Sequence, residues 1–253
     1  MKQIAFVTGA TSGIGEATAL KLASLKYDLI ITGRRADRLE ELKQQLEKKY
    51  AIKVLCLNFD IRNNNATKDT INQMDTTWRN IDILVNNAGL AAGADPIQDG
   101  LWSDWEQMID TNIKGLLFLS KQIIPLMIHR KKGHIVNVSS IAGKEVYAGG
   151  NVYCATKHAV EAITKGMRID LLKHGIKVTS VAPGMVETEF SIVRFHGDKE
   201  KADNVYKGLT PLFANDIADT IEFVVTRPPH VTINEILVMP TAQASAVYNH
   251  REE

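Results

Sequence analysis

Short, almost wholly apolar runs alternate along this chain with longer segments of helical periodicity. Ile4-Ala5-Phe6-Val7 and Ile81-Asp82-Ile83-Leu84-Val85 are apolar at nearly every position, so both faces of each strand must be covered. Strands are expected at Gln3–Thr8, Asp28–Thr32, Lys53–Leu57, Ile81–Val85, His134–Val138, Lys177–Val181 and Glu235–Val238. Helical patterns fall at Glu16–Leu25, Asp37–Tyr50, Asn64–Asp75, Trp105–Arg130, Val152–His174 and Asn215–Thr226. This alternation predicts βαβ units and an α/β fold, a doubly wound parallel sheet of about seven strands flanked by helices. No linker or repeat interrupts it, so residues 1–253 are read as a single domain.

The bulk properties narrow the function classes. A formal net charge of +1 gives no electrostatic footprint for nucleic acid or a membrane surface. The longest apolar stretch, Gly115–Ile128, is interrupted by Ser120, Lys121, Gln122 and Pro125 and falls short of the roughly 20 residues a span requires. Only Met1, Lys2 and Gln3 precede the first apolar run, so no leader is expected. Cys56 and Cys154 form no disulfide framework, which points to a reducing, cytoplasmic setting. The seven histidines show no ligand spacing, and no metal is implied.

Thr8-Gly9-Ala10-Thr11-Ser12-Gly13-Ile14-Gly15 joins the first strand to the first helix. Gly9 permits a sharp turn, Gly13 lets the backbone approach a pyrophosphate, and Gly15 lets the helix pack close to the sheet. The helix N-terminus then presents free N–H groups and partial positive charge to phosphates. A purely structural strand–helix turn is the competing reading. The second strand runs into Gly33-Arg34-Arg35 with no acid at its end. A carboxylate there would hold the ribose hydroxyls of NAD, whereas arginine suits the 2′-phosphate of NADP through bidentate, charge-assisted bonds. NADP is therefore the expected cofactor. Solvated loop charges are the alternative.

Tyr153-Cys154-Ala155-Thr156-Lys157 places a tyrosine and a lysine at i and i+4, on one side of a helix. A neighbouring ammonium is expected to lower the tyrosine pKa and make the phenol a usable acid or base. The pattern alone also fits a surface tyrosine beside a solvated lysine. It is accompanied by Asn86-Asn87-Ala88-Gly89 after a strand, Asn112 within Asp110–Gly115, Ser139-Ser140 after His134–Val138, and Pro183-Gly184 after Lys177–Val181. Together, in this order and over essentially the whole chain, these motifs resemble the short-chain dehydrogenase/reductase family, whose fold is Rossmann-like.

The resemblance implies a role for each matching position. Tyr153 is the expected acid/base, Lys157 tunes it and holds the nicotinamide ribose, and Ser140 hydrogen-bonds the substrate oxygen. Ser140 is chosen over Ser139 because the family serine lies thirteen positions before the tyrosine. Asn112 is expected to complete a water-linked proton relay with Lys157. The implied cofactor contacts are Gly9, Thr11, Ser12, Gly13, Ile14 and Gly15 in the first turn and Arg34 and Arg35 after the second strand. Further along they are Asp60 and Ile61 at the adenine, Asn87, Ala88 and Gly89 at the ribose, and Pro183, Gly184, Val186 and Thr188 at the nicotinamide and phosphates, beside Tyr153 and Lys157. Cys154 is read as structural.

Beyond Pro183, Ser191–Asp198 and Val238–Gln243 are similar to the family's NADP-dependent 3-hydroxy acid dehydrogenases, which oxidise serine, allo-threonine and related acids and reduce semialdehydes in reverse. The polar stretch Ser191–Thr210 follows a strand, where ligands bind in such sheets, and is expected to be a substrate lid spanning about 189–212. An ordinary surface insertion is the alternative. Arg194 within it is a candidate partner for a substrate carboxylate. The competing functions are a broad aldehyde or ketone reductase and a non-catalytic NADP-binding sensor. Family members pair the equivalents of the two long helices, so a homotetramer is expected, with a small-molecule substrate and no nucleic-acid or membrane partner.

Overall fold

The computed structural model describes residues 2–252. Seven parallel strands form one sheet, in the spatial order Val54–Asn58, Asp28–Gly33, Ile4–Thr8, Ile81–Asn86, Gly133–Val138, Ile176–Pro183, Glu235–Val238. They are β1 (Ile4–Thr8), β2 (Asp28–Gly33), β3 (Val54–Asn58), β4 (Ile81–Asn86), β5 (Gly133–Val138), β6 (Ile176–Pro183) and β9 (Glu235–Val238). The helices α1 (Gly13–Ser24), α2 (Ala36–Tyr50), α3 (Asn64–Gln73), α4 (Trp102–Ile109), α5 (Leu116–Arg130), α6 (Asn151–Leu171) and α9 (Ala214–Val225) cross between them. The expected doubly wound, Rossmann-like sheet is present.

Every residue of β1 is buried, and alternate side chains enter opposite cores. Ala5 and Val7 pack with Leu22, Leu29, Leu39 and Ile221 on the α1, α2 and α9 side. Ile4 and Phe6 pack with Ile71, Leu119, Ile123 and Val160 on the α3, α5 and α6 side. Burial on both faces is the physical reason this strand lacks polar alternation. β9, at the sheet edge, alternates exposed and half-buried positions instead.

The strand order reverses between β1 and β4, and a crevice opens beyond their carboxyl ends. The expected helix over Trp105–Arg130 is present but changes its winding part-way. A π-helical turn at Asp110–Gly115 separates α4 from α5, with Gly115 packed so closely that a Cβ would lie 2.9 Å from Ile61. The polar stretch Ser191–Thr210 is not a featureless loop. It holds two short helices, α7 (Phe190–Arg194) and α8 (Lys199–Asn204). Its ends are pinned side by side by a two-stranded sheet of β7 (Val186–Glu187) and β8 (Leu212–Phe213). Among the described residues no helix is long and apolar enough to cross a membrane.

Candidate active site

A cavity of about 500 Å3 occupies the crevice. Its floor is the β1–α1 turn, where Gly9 and Gly13 adopt φ of +64° and +55°, a region L side chains avoid. At Gly13 a Cβ would press on the Thr188 side chain at 3.1 Å, and at Gly9 it would meet the Ala88 backbone at 3.1 Å. The cradle therefore has room for a ligand's phosphates only because no side chain stands there. Ser12 at the start of α1 forms no side-chain cap, which leaves the first-turn amides to a ligand.

Nearly all the positions singled out from sequence line this one cavity, from Gly9, Thr11, Ser12, Gly13 and Ile14 through Arg34, Arg35, Asp60 and Ile61 to Asn87, Ala88 and Gly89. Ser140, Tyr153, Lys157, Pro183, Gly184, Val186, Thr188 and Arg194 line it as well. Gly15 and Asn112 do not. Gly15 packs against the Gly9 carbonyl and Asn87, the close helix–sheet approach its position suggested. Asn112 is buried in the π-helical turn, where its side-chain oxygen accepts from the Leu90 amide at 2.9 Å. Its amide donates to the Leu90 carbonyl at 2.8 Å and to Thr156 Oγ1 at 3.0 Å. The carboxamide thus holds backbone just past Asn87-Ala88-Gly89.

The deep end of the cavity is dominated by burial. Tyr153 is only 8% exposed and packs edge-on to Phe190, ring centroids 5.7 Å apart. Burial pushes its phenol well above the usual range, Tyr147 adds to this, and Ser140 and Arg194 pull the other way. The Lys157 ammonium lies 5.9 Å from the Tyr153 ring centroid and donates to the Val138 carbonyl at 3.1 Å. Lys157 is itself pushed down to about 8 by burial, opposed by the charge of Glu161. Burial disfavours the charged form of each group.

Ser140 follows β5, and its hydroxyl accepts from the Ala142 amide at 3.1 Å. Ser139 is 3% exposed, its hydroxyl so close to Gly143 that a Cβ there would lie 2.8 Å away. Cys154 is buried with its thiol pushed up by burial, as a packed and unreactive cysteine would be. Arg194 reaches the cavity from α7, donating from Nη1 to the Tyr147 hydroxyl at 3.2 Å and from Nε to the Gly93 carbonyl at 3.3 Å. Among the described residues it forms no ion pair with a carboxylate.

At the opposite end, Arg34 is exposed on the cavity wall, while Arg35 is less free than its sequence position suggested. It donates to Thr11 and Ser12 and pairs with Glu189 at 2.8 Å. Arg38 reaches the same carboxylate at 2.7 Å. Arg38 and Arg35 together hold the Glu189 carboxyl down to about 2. Asp60 is braced by Arg62 at 2.6 Å. Asn87 spends its side chain on the Thr8 and Gly9 carbonyls, bracing the turn from behind.

Several lining residues were not singled out from sequence: Tyr147, Glu189, Phe190, Tyr206, Gln243 and Ala246. Gln243 accepts from the Met185 amide at 2.9 Å and so ties the C-terminal tail to the segment after β6. Phe190, flanking the polar stretch, carried the one visible signal, an aromatic beside a mobile-looking sequence. Glu189 and Tyr206 fall within the expected lid and Gln243 ends the Val238–Gln243 stretch, whereas Tyr147 and Ala246 carry no signal because they are brought in by chain distant in sequence.

A family pattern described as short chain dehydrogenase matches residues 3–198. The NADP-dependent 3-hydroxy acid dehydrogenase of Schizosaccharomyces pombe is 43% identical over 248 residues, covering 98% of this chain and 96% of that protein. Sulfoacetaldehyde reductase 2 of Chromohalobacter salexigens is 43% identical over 249 residues, covering 98% of each. Among solved structures, the closed form of serine dehydrogenase complexed with NADP+ superimposes with a TM-score of 0.92 at 41% identity, covering 99% of this chain and 100% of that one.

Proposed function

Because this chain belongs to the short chain dehydrogenase family, we propose that it is an NADP-dependent oxidoreductase acting on small 3-hydroxy acids such as serine or allo-threonine, and on semialdehydes in reverse. The observation that carries the reading is one cavity with a glycine cradle and arginines at one end and Ser140, Tyr153, Lys157 and Arg194 at the other. The cradle, Arg34 and Arg35 would hold the dinucleotide phosphates, and Asp60, Ile61 and Asn87–Gly89 its adenosine. Pro183, Gly184, Val186 and Thr188 would line its nicotinamide end. NADP(H), when bound, supplies or accepts the hydride.

The chain's own residues handle the proton and the orientation. Ser140 donates to the substrate oxygen and holds it beside Tyr153. The buried Tyr153 phenol gives its proton to the carbonyl oxygen during reduction and, as phenolate, takes it from the hydroxyl during oxidation. Lys157 supplies positive charge behind the phenol and a donor for the nicotinamide ribose. Asn112 fixes the floor through Leu90. Arg194 takes the substrate carboxylate, as its guanidinium lines the cavity with no carboxylate of the described chain to neutralise it.

The segment 189–212 serves as the lid of one catalytic domain. A second reading, reduction of sulfonated aldehydes, is favoured by the sulfoacetaldehyde reductase relative and by the same arginine, since guanidinium also pairs with sulfonate. The assembly we infer is a homotetramer. Leu101, Trp102, Leu117, Ile169 and Leu172 are exposed along α4, α5 and the end of α6, apolar surface that pairing would cover. Unpaired Cys56 and Cys154 are consistent with a reducing compartment.

The test is NADPH formation from NADP+ and from NAD+ with serine, allo-threonine, 3-hydroxypropionate and neutral alcohols, for the wild type and Tyr153→Phe. Turnover of the acids with NADP+, lost in Tyr153→Phe while NADPH still binds, is expected. Turnover of neutral alcohols alone would remove the hydroxy-acid assignment.

A further inference from the structure

Glu189 has no part in the chemistry above, yet its carboxylate on the cavity wall is held by two arginines. It stands at the root of α7, one residue after Thr188 touches the glycine turn and one before Phe190 packs on Tyr153. Its Oε2 accepts from Arg35 Nη1 and its Oε1 from Arg38 Nη1, so one carboxylate bridges two guanidinium groups. Those arginines belong to the start of α2, on the opposite wall of the crevice and 154 and 151 residues away in sequence. Arg35 is already ordered by Thr11 and Ser12, with Nη2 2.9 Å from the Ser12 hydroxyl. The bridge therefore orders few additional side-chain rotamers, the main cost that makes exposed ion pairs weak.

We propose that Glu189 is a positioning residue that retains the bound dinucleotide, closing the protein around the phosphate end of the cleft by latching the 189–212 segment to Arg35 and Arg38. This rests on reading the cavity as the NADP site. The β1–α1 turn forms the floor and α2 one wall. The segment after β6 forms the other wall, and the bridge joins the two walls. A dinucleotide leaves this side of the cleft only when the bridge opens. The same bridge holds Phe190 in register with Tyr153, so closure over the phosphates and closure over the reacting end occur together.

The experiment is the dissociation rate of NADPH and of NADH, followed by fluorescence on displacement with excess oxidised cofactor. It compares wild type, Glu189→Gln, Arg38→Gln, the Gln/Gln double variant and the charge swap Glu189→Arg/Arg38→Glu. Arg38 is the informative partner because it does not line the cavity. Both single variants are expected to release both cofactors about fivefold faster, the size of a partly exposed but preordered ion pair. The double variant should be no faster than the singles, and the charge swap should recover part of the loss. Thermal melting without cofactor serves as the check that the variants are folded.

Unchanged release rates would overturn the latch. Tighter NADPH binding in Glu189→Gln, with a larger preference over NADH, would overturn it too, by showing that the carboxylate competes with the 2′-phosphate. An acceleration confined to NADPH would overturn it as well, because only the phosphate contact of Arg35 would then have changed. Failure of the wild type to bind either cofactor would instead sink the reading of the cavity itself, and the latch with it.

Discussion

Replacing Asn112 with alanine separates a scaffold from a proton relay. The carboxamide satisfies both backbone groups of Leu90 and donates to Thr156. Asn112, Leu90 and Thr156 are 2%, 6% and 1% exposed, so water does not take over these bonds without moving the chain. Thr156 keeps its own bond to the Tyr153 carbonyl, which leaves the Leu90 N–H and C=O as the orphaned pair. At about 1–3 kcal/mol for each stranded buried group, Asn112→Ala should lose roughly 2–6 kcal/mol. For a chain of this size that is a fall in Tm of roughly 5–20 °C. NADPH affinity should fall in parallel, because Leu90 directly follows Asn87-Ala88-Gly89 on the cavity wall. The assay is thermal melting by circular dichroism with and without NADPH, alongside kcat. A variant that melts within about 1–2 °C of wild type would refute the scaffold reasoning. If kcat collapsed in that same well-folded variant, the carboxamide itself would belong to the proton relay.

Lys157→Met should stabilise the free protein while abolishing turnover. The wild-type ammonium titrates near 8 when folded against 10.5 for an unburied lysine, so below pH 8 the fold carries the cost of a buried charge, about 3 kcal/mol before the lost bond to Val138 is counted. Wild-type stability should therefore rise between pH 8 and 10.5, and the advantage of the variant should vanish there; a gap in Tm independent of pH would contradict this. His134 is buried, with its pKa pushed down to about 4 by burial. Its Nε2 lies 2.8 Å from Thr179 Oγ1, and that hydroxyl donates to the Ile233 carbonyl, so the imidazole acts there as the neutral donor. The stability it contributes is complete above pH 6.5 and falls by up to about 3 kcal/mol as the pH drops toward 4. His134→Gln should melt with a flatter acid limb, and an unchanged slope would exclude this residue as its source. Arg194→Ala should raise KM for hydroxy acids about 10–100-fold, the value of a charge-assisted pair, and spare neutral carbonyl substrates. Equal losses on both classes would place Arg194 in lid packing against Tyr147 rather than at the substrate.

Features that depend on near neighbours in the chain are legible in the residues alone. Strand β1 is apolar throughout because two cores cover it, and the run Glu235–Val238 marks both ends of β9. Gly9 and Gly13 of the first turn and the i, i+4 pairing of Tyr153 with Lys157 are local geometry, so spacing suffices to find them, and all four line the cavity. The residue pattern of Trp105–Arg130 shows one long helix because apolar periodicity is insensitive to a single wide turn. The wide turn at Asp110–Gly115 sits where tertiary contacts press on the helix, the Leu90 backbone on one side and Ile61 on the other. The side-chain pKa values lie beyond the sequence for a related reason. Helical spacing places Lys157 near Tyr153, but only packing determines how dry the site is, and burial is the largest influence on both groups. Arg35 shows the division most directly. Strand length and turn chemistry are local, and they suffice to set a guanidinium at the end of the second strand. Its capture by a carboxylate 154 residues away arises only when the sheet order brings the end of β6 over the turn after β1, since a long-range ion pair leaves no periodicity to read.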